Sequence, residues 1–251
     1  MVEERHHPAG WHRDPLDVGQ LRYWDGTQWT AHVVPVGPAL FDPAPANAPT
    51  THDLAANRPG QAAREQAVAA REAAPVKSFL GRALGIHTQE RAWRVGADGE
   101  EEVARRLATL EGWHTLHAIP VGQHGADIDH LVVGPGGVYS LNTKNHSRSK
   151  VWVAQKAILV NGQRTDYLRN SRFEGKRATK RLSAACGFLV PVEPVIVVLA
   201  AELTVRSQPL DVHVVGRKQI AKWLAARPVA LAPALVSLIY EQARLESTWV
   251  G

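Results

Sequence analysis

The stretch GADIDHLVVGPGGVYSLNTKNH, residues 125–146, constrains the fold of this chain more than any other. Two apolar runs, residues 127–133 and 138–142, flank the sequence Gly134-Pro135-Gly136-Gly137. Glycine and proline at this density mark a turn, and apolar runs of this length are typical of strands. The sequence therefore predicts two neighbouring strands of one sheet joined by a short turn.

Four polar residues take defined positions on these two strands. Because residues i and i+2 of a strand point to the same side, Asp127 and Asp129 share a face, and so do Asn142 and Lys144. The apolar neighbours of Asp129 predict that it is semi-buried, and a buried carboxylate needs a cation, a metal or several donors. A metal-dependent site and an ordinary hairpin with a few polar residues both remain open.

The rest of the chain from residue 96 onward alternates between helical and strand periodicity. The predicted elements are a helix at 98–111, strands at 113–119, 127–133 and 138–142, a small hairpin at 151–153 and 158–160, a helix at 168–189, strands at 195–199 and 212–215, and helices at 217–226 and 231–246. This order predicts an α/β fold with an αβββαβ core, in which helices flank a central mixed sheet.

The predicted first helix carries an acid on its apolar side. Val103 and Leu107 define the apolar stripe, and at 100° per residue Glu100 lies within about 60° of it, whereas Glu101 and Glu102 point away. Glu101 and Glu102 are interpreted as first-turn acids that complement the helix dipole. For Glu100 the same interpretation and a role in a site are both open.

The N-terminal part predicts a separate small module and a linker. Residues 8–34 include Trp11, Tyr23, Trp24 and Trp29, which we expect to stack, and the hairpin dipeptide Asp25-Gly26. The segments PAGWHRDP and LRYWDGTQWTAH resemble a short Trp-rich bacterial N-terminal module of unknown function. Such a module could hold a protein partner.

Residues 35–75 are rich in proline and alanine and are predicted to be a linker. Its part from 61 to 74 could be helical but shows no apolar face to bury. Residues 76–251 are predicted to form the main domain, and residues 76–95 a leader helix packed on it.

The positive charge is concentrated in one segment. Of a net charge of +5, the segment 144–181 holds +9, because eleven Lys or Arg face two acids, and the rest of the chain holds −4. Such a segment suits a polyphosphate backbone, although a solvated helix face is an equally open interpretation. The candidate nucleic-acid contacts are Arg148, Lys150, Arg169, Lys176, Arg177, Lys180 and Arg181.

The single cysteine and the apolar runs limit the environment. Cys186 has no partner for an intramolecular disulfide, so a cytoplasmic location is the simplest expectation. Cys186 also falls on the apolar stripe of the helix predicted at 168–189, with Leu168, Gly175, Ala178, Leu182 and Leu189, which favours a core thiol. No run reaches the roughly 20 apolar residues of a membrane span.

The segments GADGEEEVARRL and DIDHLVVGPGGVYSLNTKNH, residues 96–107 and 127–146, resemble the nuclease-related domain (NERD) family of the PD-(D/E)XK nuclease superfamily. The resemblance implies a restriction-endonuclease-like fold and Mg²⁺ or Mn²⁺ as the cofactor. It assigns the helix acid to Glu100, the metal-binding aspartate to Asp129 and the catalytic lysine to Lys144. Asn142 stands where the family has its second carboxylate, and Asp127 could restore part of that charge.

The resemblance implies metal-dependent hydrolysis of nucleic acid, with DNA as the expected substrate. Hard divalent cations prefer oxygen ligands, and a neighbouring lysine can orient water or stabilise developing charge. Glu100, Asp129 and Asn142 would surround the ion, with Asp127 in a water-bridged or second-metal role. Two alternatives stay open: a nucleic-acid-binding module weakened in catalysis by Asn142, and an adaptor that acts through its Trp-rich module.

Overall fold

The computed structural model describes residues 9–17, 20–35, 52–61, 63–66, 68, 89–121 and 127–250. The first described part is a three-stranded antiparallel sheet of β1 (Gly10–Arg13), β2 (Gln20–Trp24) and β3 (Trp29–Pro35). The predicted hairpin is confirmed, and β1 adds a strand to it. Trp11 packs edge-on against Tyr23, with ring centroids 5.4 Å apart, so the expectation of stacked rings is wrong for this pair.

The main domain is built on a mixed sheet in the order β10-β9-β6-β5-β4. Its strands are β4 (His114–Pro120), β5 (Asp127–Gly134), β6 (Gly137–Ala154), β7 (Ala157–Val160), β8 (Gln163–Arg164), β9 (Val192–Val205) and β10 (His213–Gly216). β9 pairs in parallel with both β6 and β10, while β4, β5, β6 and β7 pair antiparallel. The mixed character of the sheet is confirmed.

Helices cover both faces of this sheet. They are α1 (Gln89–Leu107), α2 (Tyr167–Cys186), α3 (Ile220–Ala225) and α4 (Pro233–Ala243). α1 and α3 pack their apolar side chains on one face, and α2 and α4 pack theirs on the other. The order α1, β4, β5, β6, α2, β9 confirms the predicted αβββαβ core. Within the described part of the chain, no helix has the length and apolarity that a membrane crossing requires.

β6 is much longer than its sequence predicts. The pattern predicts one strand at 138–142 and a separate one at 151–153, because the polar sequence Asn145–Lys150 lies between them. Instead β6 continues beside β9 from Val138 to Val153, with a shift of register between His146 and Lys150. Pairing with a long neighbouring strand carries this polar stretch through the sheet, which periodicity alone does not reveal.

α1 begins well before the expected residue. Glu101 and Glu102 therefore lie inside a helix rather than in its first turn, so the helix-dipole interpretation of these two acids is wrong. Glu101 instead pairs with Arg64, and Glu102 pairs with Arg105 and Arg106. Their charges are thus engaged at the surface by neighbouring cations. The remainder of the predicted leader helix, residues 76–88, lies outside the described residues.

Part of the predicted linker packs on the main domain as a segment that we call the strap, residues 52–61 and 63–66. Leu54 of the strap is fully buried in the core, and its N–H donates to the Arg244 carbonyl oxygen over 2.8 Å. Asp53 forms an ion pair with the Arg244 guanidinium. Ala63 is also buried, so the expectation that residues 61–74 have no side to bury is wrong at this position.

Candidate active site

A cavity of about 600 Å³ lies where β5 and β6 meet α1, α2 and the strap. Four residues singled out by the sequence line it together: Glu100 of α1, Asp129 of β5, and Asn142 and Lys144 of β6. The lining also includes Ala63, Gln66, Trp93, Ala118, Val121, Ile128, Asn170, Phe173, Glu174 and Arg177. One helix and two adjacent strands thus bring the predicted site residues to one place.

Asp129 is the central carboxylate of this cavity. Its Oδ2 accepts a hydrogen bond of 2.5 Å from the Thr143 N–H, which ties β5 to the neighbouring residue of β6. Burial raises the pKa of Asp129, whereas the Lys144 charge and the Thr143 N–H act in the opposite direction. The environment therefore disfavours the ionised form unless more positive charge is supplied.

Glu174 of α2 is a second carboxylate in the cavity, and the sequence interpretation missed it. Asn142 Nδ2 donates a hydrogen bond of 2.9 Å to its Oε2. Burial raises the pKa of Glu174 to about 7, with a further upward contribution from the Asp129 charge. Glu174 of α2 thus places a carboxylate directly beside the Asn142 amide of β6.

The helical pattern contained a signal for Glu174. At 100° per residue, Glu174 lies about 40° from Ala178 and about 60° from Ser171. Both of these residues face the core. Glu174 is therefore an inward-facing acid, the same property that singled out Glu100. In the net charge of the basic segment, Glu174 counts only as one negative charge. Net charge carries no information on the direction of a side chain.

Two oxygen atoms beside the cavity lack a partner among the described residues. Asn142 Oδ1 and Glu174 Oε1 are both buried and accept no hydrogen bond from the protein. Leaving a buried acceptor unpaired costs about 1–3 kcal/mol, and more for a charged group. A group that supplies positive charge or donors at this point would remove that cost.

The donor set fits a hard divalent cation. Among the described residues, no three His, Cys, Asp or Glu side chains stand close enough to hold a metal ion together. Mg²⁺, however, is commonly held by only one or two carboxylates, with waters and substrate phosphates in its other positions. Asp129 and Glu174, with the amide oxygen of Asn142, meet this lesser requirement.

Glu100 lines the cavity, as the sequence predicts, and also contacts the strap. Its Oε2 accepts a hydrogen bond of 3.1 Å from the Gly60 N–H of the strap. Glu100 therefore faces the cavity while it also anchors the segment that forms one wall. For Asp127 the structure describes only the backbone, at the start of β5, and its predicted role as a metal ligand stays a prediction.

Lys144 acts on both acids, because its charge lowers the pKa of Asp129 and of Glu174. Its Nζ lies 5.2 Å from the centroid of the Tyr167 ring, within the range of a cation–π contact. The Tyr167 hydroxyl in turn lies 2.9 Å from His146 Nε2. Tyr167 thus limits where the ammonium group can move.

Of the seven predicted nucleic-acid contacts, Arg177 lines the cavity, and its Nη1 donates 2.8 Å to the Val121 carbonyl oxygen. Lys150 and Arg169 form exposed ion pairs of 3.1 Å, with Glu202 and Asp166 respectively. The other members, which do not line the cavity, are Arg148, Lys176, Lys180 and Arg181. Their proposed contact with a phosphate backbone stays a prediction.

The αβββαβ domain and its acid-lined cavity define a nuclease-like α/β protein. In agreement with this class, residues 95–199 match the family model of the nuclease-related domain (NERD). Residues 9–49 match the model described as protein of unknown function (DUF2510). The chain therefore carries a nuclease-related domain behind an N-terminal domain of unknown function, as the sequence resemblances predict. Comparisons with curated proteins and with solved structures found no match.

Proposed function

We propose that this protein is a metal-dependent nucleic-acid phosphodiesterase whose ion is held by Asp129, Glu174 and Asn142. The observation that carries the proposal is the hydrogen bond from Asn142 to the buried carboxylate of Glu174. Through this hydrogen bond the Glu174 carboxylate lies beside the amide that β6 carries at Asn142. A second carboxylate beside Asp129 keeps the charge that a divalent cation requires.

When bound, Mg²⁺ or Mn²⁺ supplies a Lewis acid for a phosphate oxygen and a bound water of lowered pKa. Asp129 and Glu174 would hold the ion in their ionised forms, because positive charge lowers the pKa of both. The Asn142 carbonyl oxygen, which accepts no hydrogen bond from any described residue, offers a neutral third ligand. With an ion bound, these residues would place two negative charges on the wall of the cavity.

Lys144 is assigned to the scissile phosphate. An ammonium group next to the acids can orient a water molecule or stabilise the negative charge that develops in the transition state. Arg177, which also lines the cavity, supplies a second positive charge for a phosphate. Glu100 already accepts from the Gly60 N–H, so we assign its carboxylate to water around the ion rather than to the ion itself.

The test is cleavage of plasmid DNA, single-stranded DNA and RNA by the purified full chain, with Mg²⁺, with Mn²⁺ or with EDTA. Cleavage that requires metal and falls by about 10²-fold or more in Lys144→Ala and Glu174→Gln supports the proposal. Glu102→Gln is the matched control, because Glu102 is an acid of α1 that pairs with Arg105 and Arg106 and does not line the cavity.

Two results would count against the enzyme. Activity that persists in EDTA or in Glu174→Gln would reject this ion site. Binding that weakens with salt, without cleavage under any metal, would favour the nucleic-acid-binding alternative.

A further inference from the structure

The chemistry of phosphate hydrolysis accounts for only part of the cavity wall. The acids, the amide and the cations suit an ion and a phosphate, but much of the remaining wall is apolar. The apolar lining residues are Ala63, Trp93, Ala118, Val121, Ile128 and Phe173. A phosphodiester has no apolar group for such a wall to contact. The apolar surface that a nucleotide offers to such a wall is the face of its base.

Phe173 is the most informative of these residues. Phe173 is 66% exposed, although the leucines of the same helix, Leu168 and Leu182, are buried in the core. Burying a Phe side chain stabilises a protein by about 1.5–3 kcal/mol, and an exposed one gives up most of that. The fold therefore offers no stability reason for a phenyl ring at this place.

The position of Phe173 links it to the candidate ion site. Asn170, Phe173, Glu174 and Arg177 are spaced i, i+3, i+4 and i+7 along α2, so they form one side of the helix, and all four line the cavity. The phenyl ring is thus the chain neighbour of the ion-holding carboxylate and one turn from a cation. A nucleotide with its phosphate at the acids would have its base within reach of this ring.

A second aromatic residue reaches the same cavity from the opposite helix. Trp93 of α1 is half-buried and lines it, together with Ala63 and Gln66 of the strap. α1, α2 and the strap therefore surround the strand residues Asp129, Asn142 and Lys144 on several sides. The cavity volume of about 600 Å³ suits a nucleotide-sized group beside these residues.

Building on the proposed function, we propose that the cavity takes unpaired nucleotides, with a base stacked on Phe173 and Trp93 as a second apolar wall. The substrate class is then single-stranded nucleic acid or an unpaired end. In a duplex the faces of the bases already stack on one another, so Phe173 could engage them only after unpairing. Stacking accepts every base, so cleavage should show little sequence preference.

The binding test uses a fluorescein-labelled oligothymidylate and a blunt duplex of the same length, with Ca²⁺ in place of Mg²⁺. Phe173→Ala should weaken binding of the single strand by roughly tenfold or more and leave duplex binding nearly unchanged. Phe173→Trp keeps an aromatic face and should bind like the wild type. The unfolding temperature of Phe173→Ala should not change, because the ring is exposed.

Trp152→Ala is the matched control, since Trp152 is an aromatic residue on β6 that is 40% exposed and does not line the cavity. It should leave binding of both oligonucleotides unchanged. The inference is overturned if Phe173→Ala behaves like Trp152→Ala, or if the duplex binds as well as the single strand and loses as much on truncation.

Cleavage assays separate this inference from the proposed function. Phe173-dependent binding of single strands without cleavage under any metal would reject the proposed enzyme activity and support base stacking on Phe173. Metal-dependent cleavage that prefers a duplex, or that is unchanged in Phe173→Ala, would reject base stacking on Phe173 and support the proposed enzyme activity. Failure to bind either oligonucleotide would overturn both.

Discussion

Asn142 Nδ2 donates a hydrogen bond of 2.9 Å to Glu174 Oε2, and this contact joins a strand amide to a helix acid across the cavity. The Asn142 amide group thereby fixes the position of the Glu174 carboxylate. In the proposed site, Glu174 of α2 supplies the second carboxylate beside Asp129 that β6 does not carry at Asn142. The relation between these two residues can be tested by moving the charge back.

Exchanging the two groups should exchange their roles. We expect Glu174→Gln to lower Mn²⁺ affinity by about tenfold or more, because one of two buried charges is lost. Asn142→Asp alone should raise the affinity, and the double variant Asn142→Asp, Glu174→Gln should recover most of the wild-type value. Isothermal titration calorimetry with Mn²⁺ measures all three.

Glu102→Gln is the control for this exchange, because Glu102 is engaged by Arg105 and Arg106 outside the cavity. Equal Mn²⁺ affinity in the wild type and in Glu174→Gln would show that Glu174 does not hold the ion. Failure of the double variant to recover, with Asn142→Asp binding more tightly, would show that the two positions are not equivalent.

Glu174 should also leave a signature in the pH dependence of stability. Its pKa is raised from 4.5 to about 7 in the folded protein. Without divalent ions, the folded state therefore keeps a proton that the unfolded chain releases, so the free energy of unfolding falls as pH rises through this window. Above pH 7 the loss is complete, and below pH 4.5 it vanishes.

Thermal unfolding in EDTA measures this effect. At pH 8, Glu174→Gln should melt about 2 °C or more above the wild type, whereas at pH 4 the two should be similar. Added Mn²⁺ should reverse the order at pH 8, because binding to the folded state stabilises the wild type more. A constant difference between the two proteins from pH 4 to pH 8 would contradict the buried, proton-holding state of Glu174.

The contact between Lys144 and the Tyr167 ring predicts that Tyr167 positions the ammonium group. Tyr167→Leu removes the ring face, and a cation–π contact of about 0.5–2 kcal/mol corresponds to a fall in kcat of roughly 2- to 30-fold. Tyr167→Phe keeps the face and loses only the hydroxyl contact with His146, so it should retain most of kcat.

Steady-state cleavage of a single-stranded oligonucleotide compares the two variants. A change in KM alone in Tyr167→Leu would point to substrate binding instead of positioning. Equal losses in Tyr167→Phe and Tyr167→Leu would assign the effect to the hydroxyl and His146.

Local sequence patterns predict the order of helices and strands, because that order depends on local periodicity. The αβββαβ order follows from apolar periodicity, and strand alternation places Asn142 and Lys144 on one face of their strand. Their grouping with Asp129 in one site followed from the family resemblance. The strap could not be predicted in the same way, because its anchor joins Asp53 to Arg244, 191 residues apart in the chain. Pairing and packing over such separations leave no periodic trace in the sequence. Glu174 is different, because its position on the helix relative to Ala178 and Ser171 predicts an inward-facing side chain.

The strap depends on a glycine at position 60. Gly60 has a φ of +73°, and a Cβ there would lie 3.0 Å from both the Cβ and the carbonyl oxygen of Ala97. Gly162 has a similar φ of +84° but open space around it, so Gly162→Ala carries the backbone strain without the contact. Gly60→Ala should therefore destabilise the protein by about 1 kcal/mol or more beyond Gly162→Ala.

Urea unfolding gives both free energies, and hydrogen exchange of the residue 60 amide reports its bond to Glu100. In Gly60→Ala that amide should exchange faster than it does in the wild type. Equal destabilisation in the two variants, with slow exchange kept, would show that the strap adjusts without leaving Glu100.

The N-terminal module docks on the main domain through Trp11, whose side chain is 6% exposed. Its ring packs edge-on against Phe188, with ring centroids 5.5 Å apart, and the backbone N–H of Trp11 donates to the Ala230 carbonyl oxygen over 3.2 Å. Trp11→Ala should cost about 3–5 kcal/mol of unfolding free energy, as large core truncations do, and should speed proteolytic release of the module. Trp29 packs on Trp24 within the module, so Trp29→Ala should loosen the module without releasing it.

Neither Phe188 nor Ala230 lines the cavity, so undocking the module should leave Mn²⁺ affinity unchanged. Limited proteolysis followed by mass spectrometry, together with Mn²⁺ titration of each variant, measures both effects on the same protein. Release in Trp11→Ala with unaltered Mn²⁺ binding would separate the module from the ion site. A loss of Mn²⁺ affinity in Trp11→Ala alone would instead couple them through the core cluster that Trp11 shares with Ala178 and Leu182 of α2.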